Sequence, residues 1–285
     1  MIEAPEALYL CEQLNKTVKG KRITNVFTLF TPHKFAWFSG SPDEYAEWLT
    51  GKSIDHARSQ GGMVEMTIGD KMLILTDGVN LRYYAPGTKL PAKHQLLIGF
   101  EDESCLIASV RMYGGIMCYS KDAANGVLSE YYRTAKSKPQ VMSDAFSKKY
   151  FLGLINDESA QKKSAKAFLA TEQTVPGLGN GVLQDILYHA TSIQKKKIAA
   201  LTDKEKENLF YQVKETMNDI YRQGGRNTES DLFGEMASIQ LASLKTRQAK
   251  PVPVAEKPLS RRIILAVASI TAVVARYWNK NQSND

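Results

Sequence analysis

The chain has 285 residues, 43% of them hydrophobic, enough to bury the cores of two domains, so a disordered or low-complexity protein is excluded. Its 37 Lys and Arg against 30 Asp and Glu leave a formal charge of +7, which admits a polyanionic partner without requiring one. Cys11, Cys105 and Cys118 lie far apart with no CxxC pair, so neither a disulfide framework nor a zinc site is suggested, and with no apolar signal core at its start the chain is expected in the cytoplasm.

The opening residues MIEAPEALYL lead into Leu8, Leu10, Cys11 and Leu14, a helical pattern. Glu3 and Glu6 flank Pro5 as a helix's first turn favours, because carboxylates suit the dipole there and Pro lacks no donor that is needed. From 17 to 130 the chain reads as mainly β, with short apolar runs such as ITNVFTLF, MVEMTI, KMLILT, HQLLIGF, SCLIASV and GGIMCY broken by turn signals. One or two helical turns from Pro42 to Leu49 interrupt them, and antiparallel strands of this length predict a sandwich or barrel. The polar stretch from 131 to 150, with one Pro, reads as a linker into a helical region. Lys136, Lys138, Lys148, Lys149, Lys162, Lys163, Lys166, Lys195, Lys196 and Lys197 gather nearby. Each cluster suits a solvated face; together they suggest a groove for a nucleic-acid backbone, with steep salt dependence.

Next comes AKAFLATEQ (165–173), then VPGLGNGVLQDILYHA (175–190). Pro176, Gly177 and Gly179 break one helix, and Val182, Leu183, Ile186, Leu187 and Ala190 open another. The N–H groups at the new helix's start make the turn an anion seat into which a phosphate fits; equally, the turn serves as a tight connection between packed helices. It is not a dinucleotide fingerprint, because a helix and not a strand precedes it. A second amphipathic helix, from about Thr202 to Gln223, runs into GGRNTESDLFG.

This succession resembles the helix-two-turn-helix domain of the formamidopyrimidine-DNA glycosylase and endonuclease VIII family. The resemblance implies that Asn180 of the turn, with Gly177 and Gly179 shaping it, and Lys166 on the preceding helix hold DNA phosphates. It extends to LTGKSI at 49–54, which matches the family's Leu-x-Gly-x-x-Ile, and to KHQLL, which implies a phosphate contact for Lys93 and His94. SVRMYG at 109–114 stands where the family fills the gap left by a flipped base. Arg111 and Tyr113 would then support the duplex while unstacking costs a few kcal/mol; Tyr113 also fits a plain strand aromatic.

The fold implied is α+β: an N-terminal antiparallel β-sandwich with an N-terminal helix (1–130), a linker (131–150), an all-helical helix-two-turn-helix domain (151–234) and an atypical tail (235–285). The function implied is a base-excision-repair glycosylase with AP-lyase activity on oxidised bases in duplex DNA, acting through a Schiff base on the N-terminal amine. Glu3 would assist sugar opening and proton transfer, and Glu6 would support the N-terminal pocket. A monomer of bacterial type, associated with the nucleoid and not with membrane, is expected. The alternative is a protein that grips damaged or abasic DNA without turnover.

Three departures bear on the chemistry. The family begins Met-Pro-Glu-Leu-Pro-Glu and uses the Pro amine; here Glu3, Pro5 and Glu6 match but Ile2 replaces that Pro. Retention of Met1 is expected before a bulky Ile, which moves the amine about 3.5 Å along the chain, where about 1 Å of misplacement costs on the order of a hundredfold in rate. The pocket is then re-cut around Met1, or Met1 is removed and Ile2 supplies the amine, or the protein binds without excising. The family's Arg-Arg-Gly-Lys appears as Ser59, Gln60, Gly61 and Gly62, without the Lys.

Last, residues 235–285 hold no Cys where the family has a zinc finger with two Cys-x-x-Cys pairs, so no cofactor is expected. The apolar run Ile263 to Ala275, about 20 Å long as a helix, falls short of the roughly 30 Å needed to span a bilayer. Permitted codons for Pro251 to Trp278, read out of register, restore both Cys pairs, which suggests a frameshift near Gly234. A tail never selected to fold is expected to pack poorly and to expose apolar surface. A zincless finger is the alternative.

Overall fold

The computed structural model describes residues 1–237 except 77, 124–127, 172, 191–192 and 194–195. Helix α1 (Ala4–Thr17) forms where the sequence predicts, with Pro5 in its first turn and Glu6 Oε2 accepting from the Glu3 amide at 3.0 Å. Leu10, Cys11 and Leu14 lie on its buried stripe.

Nine strands follow among the described residues: β1 (Ile23–Thr28), β2 (Ala36–Phe38), then, after the short helix α2 (Glu44–Leu49), β3 (Ile54–Gln60), β4 (Met63–Ile68), β5 (Lys71–Leu75), β6 (Val79–Tyr84), β7 (Leu96–Phe100), β8 (Cys105–Val110) and β9 (Gly114–Ser120). They make a four-stranded sheet in the order β1-β7-β8-β6 and a five-stranded sheet in the order β2-β9-β5-β4-β3. All pairings are antiparallel except that of β2 with β9. That exception arises because the excursion after β1 carries the chain from one sheet to the other, where β2 meets β9 running the same way.

Alternation along the central strands divides their side chains between two layers. Val64, Met66, Ile68, Leu73 and Leu75 join α1 in the sandwich core, while Met63, Met72 and Ile74 face the other way. That second face is covered by α3 (Glu130–Ser137), which takes up the first part of the stretch read as a linker. Ser129 caps it, and Tyr132 and Ala135, spaced i and i+3, bury against the sheet. The polar composition of 131–150 hides this one-sided contact.

The helical part comprises α4 (Lys148–Asn156), α5 (Glu158–Gln161), α6 (Ala165–Ala170), α7 (Asn180–His189) and α8 (Asp203–Arg222). Thr202 and Glu205 form a reciprocal capping box at the start of α8, with Glu205 Oε2 accepting from the Thr202 amide at 2.9 Å. The apolar positions read on α7 are buried beside Leu209, Val213 and Met217 of α8 and a cluster of Phe146, Phe151, Phe168 and Phe210. The fold is thus α+β as expected: an N-terminal helix on a two-sheet sandwich, followed by helices. No helix among the described residues is long and apolar enough to cross a membrane. The frameshift and zincless-finger readings, and the apolar run, fall on a tail that from 238 onward lies outside the described residues.

Candidate functional site

The start of α1 is wedged between the Gly-rich turn and the loop after α8. Glu3 and Glu6, only 6% and 4% exposed, converge on Arg226, itself buried. Arg226 Nη1 donates to Glu3 Oε1 at 2.8 Å, its Nε to Glu6 Oε1 at 2.7 Å, and its Nη2 to Glu6 Oε2 at 3.1 Å and to the Met1 carbonyl at 2.8 Å. A planar guanidinium suits two carboxylates at once. Burial disfavours the charge on Arg226, but Glu6 and Glu3 outweigh it and hold the guanidinium above its ordinary value. Burial pushes the Glu3 carboxyl up, and Glu6 adds to this, against the pull of Arg226 and of the amides of Val182 and Gly179.

Those amides correct the reading of the turn as a phosphate seat. Glu3 Oε2 accepts from Gly179 N at 2.9 Å and Val182 N at 3.2 Å, and Oε1 accepts from Gly181 N at 3.0 Å, so the anion at the N-terminus of α7 is the protein's own carboxylate. A Cβ on Gly181 would lie 2.2 Å from Arg226 Nη1, which is why the turn needs a glycine there. Gly177, at φ +74, carries the other constraint: its Cβ would lie 2.4 Å from the backbone of Gly61 and of Gly62. The β3–β4 turn, where the family's Lys is missing, is thus pressed onto the Gly-rich turn. Asn180 is exposed at the first position of α7, and Lys166 is exposed on α6.

A cavity of about 240 Å³ at the N-terminus brings together residues far apart in sequence: Met1, Ile2, Arg82, Arg111, Met112, Tyr113 and Glu229 among its walls. The Met1 amine donates to Glu229 Oε1 at 2.5 Å. Arg111, Met112 and Tyr113 form the exposed tip between β8 and β9, with the Tyr113 ring 6.3 Å from that of Trp37. Arg82 donates through Nη1 to the Ser230 carbonyl at 3.1 Å, and burial together with the nearby charge of Arg111 pulls its guanidinium below its ordinary value. Two cations crowded at one rim favour an anionic partner.

Lys93 is exposed, but His94 is buried beneath Phe30, its ring stacked on that ring at 4.5 Å, with Nδ1 3.2 Å from the Pro91 carbonyl. The burial of His94 was not legible in KHQLL, and it leaves Lys93 as the presented cation of the pair. Sequence reasoning also missed Arg226, Glu229 and Arg82. One signal was available: a basic residue directly after the Gly-Gly stop of α8, with two carboxylates at i and i+3 on α1 needing a partner. As to the zinc implied by the resemblance, 235–285 hold no Cys. Among the described residues no group of three or more His, Cys, Asp or Glu is placed to hold a metal, and no step is routed through one.

No family model matches the chain. The formamidopyrimidine-DNA glycosylase of Shouchella clausii is 25% identical over 239 residues, covering 82% of this chain and 83% of that protein. That of Streptococcus pneumoniae strain R6 is 24% identical over 245 residues, covering 84% and 85%. A crystal structure of the Lactococcus lactis Fpg with an abasic-site-containing DNA shares the fold, with a TM-score of 0.68 at 22% identity over 83% of this chain and 84% of that one.

Proposed function

Because the chain belongs to the formamidopyrimidine-DNA glycosylase and endonuclease VIII family, we propose that it repairs damaged DNA as an N-glycosylase and AP lyase, excising oxidised bases from duplex DNA through its N-terminal amine. The observation that carries the reading is the convergence of Met1, Ile2, Arg111 and Tyr113 on one cavity. An amine and a duplex-supporting tip belong side by side only if a nucleotide is to be pushed out of one and into the other.

The chemistry runs as follows. The Met1 ammonium gives a proton to Glu229, the carboxylate 2.5 Å away, and the free amine attacks the sugar C1′. The glycosidic bond breaks and the base leaves, taking up a proton. The sugar ring opens as its oxygen is protonated, giving an iminium at C1′. Loss of a C2′ proton then expels the 3′ phosphate, and water releases the amine. By the family resemblance Glu3 is the candidate proton carrier for ring opening, and Glu6 with Arg226 fixes its position. Exposed Lys93, Lys166 and Asn180 hold phosphates on either side of the lesion.

A second reading is favoured by a specific feature. Glu3 is bound by three amides and Arg226, and the β3–β4 turn offers glycines in place of a Lys, so the protein would recognise lesions without turning over. Borohydride trapping on an oligonucleotide with an abasic site separates the two. A covalent adduct at the N-terminal residue supports the enzyme; tight, salt-sensitive binding with no adduct supports the binder. Intact mass of the purified protein decides whether Met1 or Ile2 carries the amine.

A further inference from the structure

We propose that the loop joining β1 and β2 carries a second nucleic-acid contact: an aromatic platform of Phe30 and Phe35 that stacks unpaired bases of single-stranded DNA beside the duplex. The proposal rests on the DNA-binding reading above but concerns a surface outside the cavity. Phe30 is 63% exposed and Phe35 37%. One face of Phe30 lies flat on buried His94, 4° from parallel, which leaves the other open to solvent. An aromatic ring backed on one side and bare on the other offers a base a surface whatever its sequence.

The platform is held in place. Leu29, just before it, takes φ +53, a backbone that side chains rarely adopt and that persists only where its surroundings impose it. The imposing contacts are the Leu29 amide to the Gln95 carbonyl at 2.8 Å and the Thr31 amide to the His94 carbonyl at 3.0 Å. Buried Gln95 ties the loop to the β8–β9 tip, donating from Nε2 to the Thr31 carbonyl at 3.0 Å while its Oε1 accepts from Val110 N at 2.7 Å. The Gly114 amide donates to the Phe35 carbonyl at 2.9 Å. A rigid ring loses little entropy when a base lands on it.

Charge selects the occupant. Residues 23–42, 85–100 and 105–120, which meet through these bonds, contain no Asp or Glu, although the chain has 30. They carry Lys34, Lys89, Lys93 and Arg111, and the Lys34 ammonium lies 5.4 Å from the Phe35 ring centroid. Bare aromatics among cations with no carboxylate match a strand that presents bases and phosphates together, and do not match a basic or a purely apolar partner.

Fluorescence anisotropy with three labelled DNAs tests this: a blunt duplex with an abasic site, the same duplex with a short single-stranded dT arm, and oligo(dT) alone. The arm is expected to tighten binding by at least about fivefold. Phe30→Leu, which keeps His94 covered but removes the π face, and the double variant Phe30→Leu/Phe35→Leu are expected to abolish that gain, Phe30→Trp to keep it, and blunt-duplex affinity to stay within about twofold. No gain from the arm, or a gain that survives in the double variant, overturns the platform. Failure to bind the blunt duplex would sink the lesion reading alone, since oligo(dT) with and without Phe30→Leu still decides the platform.

Discussion

Replacing Arg226 by Met is the sharpest test of how the site is held together. The guanidinium makes four side-chain hydrogen bonds of 2.7 to 3.1 Å, three of them to the buried carboxylates of Glu3 and Glu6. Methionine fills a similar volume but leaves both acids without their cation. Breaking a buried pair from one side costs about 3–5 kcal/mol, which in a chain of this size lowers Tm by about 6–20 °C. The deficit carries a pH signature. With the cation gone, nothing offsets the burial that already pushes the Glu3 carboxyl up, so the native state holds a proton that the unfolded chain releases, and stability falls as pH rises above the ordinary carboxylate range. Urea unfolding followed by tryptophan fluorescence should therefore show a deficit larger at pH 8 than at pH 5. Adding Glu3→Gln and Glu6→Gln to Arg226→Met should recover most of it. A variant within about 1 kcal/mol of the parent at pH 8 would refute the argument, as would equal deficits at the two pH values.

Gly177→Ala should destabilise by about 2 kcal/mol more than Gly87→Ala, because both glycines have φ +74 but only the Cβ at 177 meets backbone, at 2.4 Å; paired thermal melts check this. Lys166→Met and Lys93→Met should each lower the slope of log affinity against log salt by about 1. His94→Gln should leave that slope unchanged, its ring being buried under Phe30, and titrations across a range of salt compare the three. Asp102, held down to about 2 by Lys21 and Ser104, supplies stability that is present above the unfolded carboxylate value and lost as pH falls toward 2. Asp102→Asn should flatten that acid limb only slightly, since the pair is solvent-screened, and unfolding midpoints between pH 5 and pH 2 measure it.

What the sequence made legible is what depends on neighbours along the chain. The stripe Leu10, Cys11, Leu14 announced α1, the amphipathic pattern from about Thr202 to Gln223 announced α8, and the short apolar runs announced the sandwich. The cavity was half legible: Met1, Ile2, Arg111 and Tyr113 were each marked by resemblance, but nothing in their spacing said that they share a wall. The occupant of the Gly-rich turn was hidden for a physical reason. Any anion satisfies the amides of Gly179, Gly181 and Val182, and the one that does so comes from Glu3, 176 positions before Gly179. Arg226 was hidden likewise, 223 positions from Glu3, because an isolated Arg after a helix reads as a solvated charge. The cover that α3 gives the outer sheet face escaped because two residues, Tyr132 and Ala135, make most of it.

The closure of the Gly-rich turn by Glu3 has an evolutionary edge. Severed from the first residues, the helices of 151–234 would leave Arg226 without the two carboxylates that neutralise it and three amides without their acceptor at α7. The sandwich alone would keep two acids facing an empty socket. Neither half is a module that recombination could graft onto another protein, so changes on one side must be answered on the other and the two are bound to diverge together.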